Sequence, residues 1–262
     1  MTEKFSQQAA LEPDPPALTG RATLGATIGN MLEFYDFVTY GFFAIQIGRT
    51  FFPSHNEFAS LMLSLGTFGA GFVTRPIGGL VIGAYSDRAG RRPAMMLSLT
   101  MMGSAIIALA LTPSYEAIGI AAPILAIVAR MVQGFSLGGE VGPTTAYLME
   151  AAAADRRGFA VSWQPASQQI AATTGALVDL VLSELMTREA LDSYGWRIAF
   201  LIGAVTLPFG LWMRSGLPET LHIGETETAG SSLGTIRTNA RVIILGLLIL
   251  ASGTIVPTSA NT

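Results

Sequence analysis

Cysteine is absent from this chain of 262 residues, so no disulfide and no thiolate metal site can form. Histidine is nearly absent: His55 and His222 lie in predicted loops and make no metal constellation. Charge is scarce as well. Charged residues make up 13% of the sequence, whereas a soluble domain has about 25%. Half the residues are hydrophobic, which excludes one large globular core and points to a polytopic membrane protein. There is no phosphate-cradling glycine loop of the Gly-x-x-x-x-Gly-Lys-Ser type, so direct driving by ATP is not indicated. No serine–histidine or metal arrangement is visible, and neither enzymatic activity nor a cofactor is expected. The first twenty residues are polar, with Pro13, Pro15 and Pro16, and do not follow the pattern of a cleaved signal peptide.

What is present is long apolar runs. A bilayer core needs about 20 apolar residues per helix. Six stretches qualify, at roughly 24–48, 58–85, 94–112, 117–149, 159–184 and 196–214. Each must be helical, because no backbone polar group can go unpaired in lipid. The predicted class is therefore all-α, a six-helix transmembrane bundle. Connections alternate in charge. One side carries Arg88, Arg91 and Arg92, then Arg156 and Arg157, then Arg214 and Arg237; the other carries Glu57, Glu116, Glu184, Glu189 and Asp192. That bias places the basic side and the N-terminus of a multi-pass membrane protein in the cytoplasm. Residues 1–20 read as a disordered cytoplasmic tail, 21–214 as the six-helix half, 215–240 as a central cytoplasmic loop and 241–262 as a truncated seventh helix. The polar run Ile255–Thr262 falls in mid-helix, which predicts truncation or a reading-frame error.

Between the second and third spans lies a short, strongly basic turn with Gly83, Asp87, Arg88, Gly90, Arg91 and Arg92 at fixed spacing. Within the spans, each charge costs at least ~2.5–3.5 kcal/mol and requires a reason. Glu33 and Asp36 are three apart in the first span and share a face with Tyr40 and Asn30. They suit either proton carriage or an ion pair that locks helices. Arg75, in the second span, sits about 18 Å from Asp87 along the helix. Its planar fork suits a substrate carboxylate, or else Asp36 or Glu33. Arg130 in the fourth span is a second deep cation, suited to pairing with a first-span carboxylate or to a proton path. Gly134, Gly138 and Gly142 follow it four apart, a smooth ridge for a neighbouring helix. In the fifth span Gln164 and Gln168 are one turn apart, near one stripe with Asp179; they suit substrate oxygens or helix ties.

Several of these pieces resemble the metabolite:proton symporter branch of the major facilitator superfamily. They are the basic turn, Gly29-Asn30-Met31-Leu32-Glu33-Phe34-Tyr35-Asp36-Phe37, Arg75-Pro76-Ile77-Gly78, Arg130-x-x-Gln133-Gly134 with Gly138-Gly139-Glu140, and Gly195-Trp196-Arg197. Within that branch, Arg49–Pro53, Glu57–Leu63 and Ser162–Gln169 look most like the citrate and tricarballylate carriers. The resemblance covers residues 20–220, the N-terminal half of such a transporter. It implies proton-coupled import of a small carboxylate across the bacterial inner membrane, with Arg75 helping to bind it; the residues themselves add Gln164, Gln168 and Tyr40 as candidates toward substrate and Glu33, Asp36 and Arg130 toward the proton. It also implies that the basic turn is a conformational element and that a C-terminal half is required for transport. Expected partners are the carboxylate, the proton and the lipid bilayer, with no nucleic acid. Relatives in the branch also carry 2-oxoglutarate, or proline and betaine, which leaves those cargoes as alternatives. A non-transporting membrane fragment or interaction protein is the alternative from another class. Asp179 departs from the pattern, since a neutral residue is expected there.

Overall fold

A computed structural model describes residues 19–220. The expected tail, most of the expected central loop and the expected seventh helix lie outside the described residues. All regular elements among the described residues are helical. The first span is two helices, α1 (Gly20–Phe42) and α2 (Ala44–Phe51), interrupted at Phe43. Then come α3 (Glu57–Ala89), α4 (Arg91–Leu111), the single turn α5 (Tyr115–Ile118), α6 (Ala121–Glu150) and α7 (Arg157–Leu185). A last rod is built from α8 (Arg188–Ala190), a π turn (Leu191–Gly195), α9 (Trp196–Ala204) and α10 (Thr206–Ser215). Side chains start three of these: Thr19 accepts from the Ala22 amide at 3.2 Å, Asn56 from the Phe58 amide at 2.9 Å and Thr187 from the Ala190 amide at 3.3 Å.

Four elements are long and apolar enough to cross a membrane: α3, α4, α6 and the rod Arg188–Ser215. The other two long helices carry the polar residues singled out above, Asn30, Glu33 and Asp36 on α1 and Gln164, Gln168 and Asp179 on α7. These two lie side by side. Polar side chains that lipid would reject are thereby turned toward one another.

The helix α3 lies along α6, and there the glycine ridge operates. A Cβ at Gly134 would strike the backbone of Gly71, and one at Gly138 the backbone carbonyl of Arg75. Two helix backbones touch, which only glycine permits. The ridge is shorter than the spacing predicts, because Gly142 has open space beside it. An apolar cluster of Phe43, Ile47, Phe51, Leu99, Ile106, Trp196 and Phe200 joins α2, α4 and α9. Trp196 stands edge-on between Phe51 and Phe200, with ring centroids 5.7 and 6.0 Å away.

Two expectations need correction. The basic turn is one residue long, not a loop: α3 continues through Asp87 and Arg88 to Ala89, and α4 starts at Arg91. Gly90 alone reverses the chain, at φ +109°, a backbone state that side chains with a Cβ avoid. The reversal is sealed by Glu219, whose carboxylate accepts from the amides of Arg91 (2.8 Å) and Arg92 (3.2 Å), two of the open donors at the start of α4. Arg91 then binds Asp87 at 2.6 Å and Glu150 at 3.2 Å, tying α3, α4 and α6 at this end. Arg214 is the second correction. Its position suggests an inside loop, yet it ends α10 and is fully buried.

Candidate functional site

Midway along the bundle, α1, α3, α4 and α6 enclose a small cavity. Its walls are Glu33, Asp36 and Phe37 from α1; Phe68, Gly71, Phe72 and Arg75 from α3; Met102 from α4; and Arg130, Gln133, Gly134 and Leu137 from α6. The free volume is ≈ 20 Å³, room for about one water. Three of the charged groups are close to fully buried, and the cavity is where their charges meet.

The two guanidiniums are held differently. Arg130 reaches Asp36 with both terminal nitrogens, at 2.6 and 3.4 Å, and lies over the Tyr40 ring at 3.9 Å. Its side chain is 4% exposed, so this pair is sealed. Arg75 comes no closer than 3.7 Å to Glu33, beyond hydrogen-bond length, and its side chain is 29% exposed. It rests on the faces of Phe72 (4.1 Å) and Phe37 (5.1 Å). Among the described residues it donates no hydrogen bond. Arg75 Nε, Glu33 Oε2, Arg130 Nε and both amide atoms of Gln133 are buried without a partner.

Gln133, which the sequence offers only within the motif after Arg130 and with no role, also lines the cavity. It is 4% exposed and follows Arg130 by three, one turn along the cavity face. That spacing beside a deep charge was the available signal.

The other candidates lie elsewhere. Tyr40 is fully buried, donates to the Ser64 carbonyl at 2.9 Å and serves as the platform for Arg130. Gln164 accepts from Thr145 at 2.6 Å. Its carbonyl accepts from Asn30 at 2.9 Å, while Gln168 donates to Asn30 at 3.1 Å. Asn30 thus ties α1 to α7, and neither glutamine lines the cavity. Of the basic-turn residues, Asp87 and Arg91 are engaged with each other, and Arg88 and Arg92 form no ion pair among the described residues.

Two further features frame the site. Arg214 donates to the carbonyls of Gly25, Ala26 and Met95 and to both oxygens of Glu140, so all five of its N–H groups are used. Ser98 adds a donor to the same carboxylate. This knot pins α1, α4, α6 and α10 together. A larger recess of ≈ 740 Å³ lies between α1 and α7, lined by residues such as Leu24, Met31, Phe159, Trp163 and Ile170 with Arg156. Its one charge is well exposed, so the smaller cavity is the site with chemistry.

Membrane-length helices with ion pairs buried between them define a polytopic membrane protein. The family model for sugar (and other) transporters matches residues 22–244, and the chain belongs to that family of the major facilitator superfamily. The citrate-proton symporter of Salmonella typhi is 43% identical, over 91% of this chain and 57% of that protein. The alpha-ketoglutarate permease of Escherichia coli K12 is 40% identical, over 89% of this chain and 54% of its own length. This chain thus spans about half the length of these relatives. Among solved structures, the proton:xylose symporter XylE of E. coli superposes with a TM-score of 0.69 at 20% identity, covering 76% of this chain and 44% of that one. The likeness is one of fold.

Proposed function

We propose that this chain forms one wall of a proton-coupled symporter that imports a small carboxylate, citrate or tricarballylate, across the inner membrane. The observation that carries the reading is the contrast between the two cavity arginines. Arg130 is neutralised by Asp36 at 2.6 Å, whereas Arg75 is mostly buried, donates no hydrogen bond among the described residues and faces a loosely held Glu33. A planar, desolvated fork of that kind matches a carboxylate. Gln133, with both amide atoms unpartnered beside it, offers a donor and an acceptor to the rest of an oxygen-rich substrate. The family relationship to a citrate-proton symporter supports the cargo.

In this reading Asp36 and Arg130 form the proton-responsive pair. Glu33 is the internal anion that substrate displaces from Arg75. The cavity is too small for a tricarboxylate, so binding requires α1 to part from α3 and α6. Transport by rocking of two halves about a central site belongs to a protein of the relatives' full length. The basic ends face the cytoplasm, along with the N-terminus. The protein acts without enzymatic chemistry.

Citrate binding to the purified chain in lipid nanodiscs tests the anchor. Loss of a charge-assisted pair of about 1.5–3 kcal/mol should weaken binding by ~10–100-fold in Arg75→Ala. Arg75→Lys should recover little, because an ammonium lacks the fork. Unchanged affinity in Arg75→Ala removes Arg75 from the site. A 2-oxoglutarate cargo is the second reading, favoured by the 40% identity to the alpha-ketoglutarate permease. Competition of citrate against 2-oxoglutarate, with betaine as the uncharged control, separates the two.

A further inference from the structure

We infer that Asp179 is a second proton-binding carboxyl, neutral in this structure and set on α7 apart from the Asp36–Arg130 pair. What that proton does in transport rests on the function proposed above; that a proton is held there stands on the surroundings of the side chain alone. Asp179 is 0% exposed to solvent. The other three buried carboxylates each have an arginine: Glu33 has Arg75, Asp36 has Arg130 and Glu140 has Arg214. No described arginine, lysine or histidine nitrogen lies within 4.0 Å of Asp179. One of its oxygens, Oδ1, is 3.3 Å from Thr39 Oγ1, and the other, Oδ2, has no hydrogen-bond partner.

The neighbouring titratable groups offer no relief. On α1, Tyr35 donates to the Ala199 carbonyl at 2.8 Å and Asp36 is taken by Arg130. On α6, Arg130 and Glu140 are committed to their partners. On the last rod, Asp192 binds Arg49, Arg197 donates to the carbonyls of Ala110 and Thr112, and Arg188 and Glu189 are exposed. Glu184, on α7 itself, is exposed.

An ionised carboxylate in this setting has one weak donor and no counter-charge, at a cost of several kcal/mol. The neutral acid fits better. Oδ1 is then an uncharged carbonyl oxygen that accepts from Thr39 Oγ1 at 3.3 Å, and the proton sits on Oδ2. One unpaired neutral O–H is a smaller penalty than an unpaired buried charge. Thr39 follows Asp36 by three on α1, so one turn of that helix carries both a carboxyl engaged with α6 and a hydroxyl engaged with α7. When α1 and α7 part, the O–H bond of Asp179 breaks, its electron pair stays on the carboxylate and the proton passes to water.

Infrared spectroscopy of the purified chain in nanodiscs tests this without any transport assay. At pH 7 the wild type should show a protonated-carboxyl C=O band that is lost in Asp179→Asn and kept in Asp36→Asn. Thr39→Val should shift the band and Thr39→Ser should leave it. Should Asp179→Asn not fold, Asp179→Glu serves, and the band must then move. No such band at pH 7, or one indifferent to every change at position 179, overturns the inference. A band at Asp179 in a protein that binds no citrate would leave the proton site standing and refute the proposed cargo.

Discussion

The two cavity arginines make opposite demands on the residues around them. Arg130 and Asp36 are both buried and hydrogen-bonded. Removing either partner leaves a charge stranded in a dry contact, at about 3–5 kcal/mol. Asp36→Asn and Arg130→Met should each lower unfolding stability by that order in mild detergent. The double variant should lose clearly less than the sum of the two, because the stranded charge is gone. Strict additivity in that cycle would show that the two side chains act independently. Arg75 behaves otherwise: with its 3.7 Å contact and partial exposure, Arg75→Ala should cost little stability and act on ligand binding. The sequence exposed these charges because lipid makes any charge conspicuous. It left open which carboxylate meets which arginine, since Glu33 and Asp36 share one helix face and only the placement of α3 and α6 divides them.

Helix contacts set that placement. Where α3 crosses α6, Gly138 meets the backbone carbonyl of Arg75, so the anchor's position depends on a missing side chain. Gly138→Val should push the helices apart and cost about 1–3 kcal/mol by overpacking. Gly142→Val, which enters open space, should be near neutral. Thermal unfolding of the two variants side by side decides it; equal losses would mean the ridge is not the contact. The cap on α4 can be read separately. Glu219→Ala frees the Arg91 and Arg92 amides and should speed their hydrogen exchange, with a loss of about 0.5–2 kcal/mol. The glycine spacing was legible because its period of four is a helical period. The cap was not, because Glu219 lies 128 positions from Arg91 and a lone glutamate in a polar segment carries no periodic signal.

Across the whole molecule, the knot at Arg214 closes the bundle. With every N–H committed to Glu140 and three carbonyls, this side chain joins four helices. Arg214→Leu should abolish the monodisperse folded species on size exclusion, and Arg214→Lys should fail to restore it, because three donors on one atom cannot reach all five acceptors. Charge-side bias assigned Arg214 to a loop, a fair inference from composition that fails because a cation at a span's end can turn inward as readily as outward. Four of the six expected spans coincide with helices long and apolar enough to cross a membrane, since apolar length is a local property. The break at Phe43 and the π turn at Leu191–Gly195 were not legible, since both sit in stretches whose hydrophobicity gives no sign of them.

The loose grip of Glu33 on Arg75 has a thermodynamic corollary. In the proposed symport an incoming anion would take the guanidinium from Glu33, and a carboxylate left alone in a 5%-exposed wall would be best accommodated by picking up a hydrogen ion. Ligand uptake and acidification then become reciprocal effectors: acid tightens the grip on the anion, and the anion drives proton uptake to the same extent. Calorimetric titrations in buffers of different ionisation heat would count the hydrogen ions absorbed per anion bound, and a count of zero would dissolve the link.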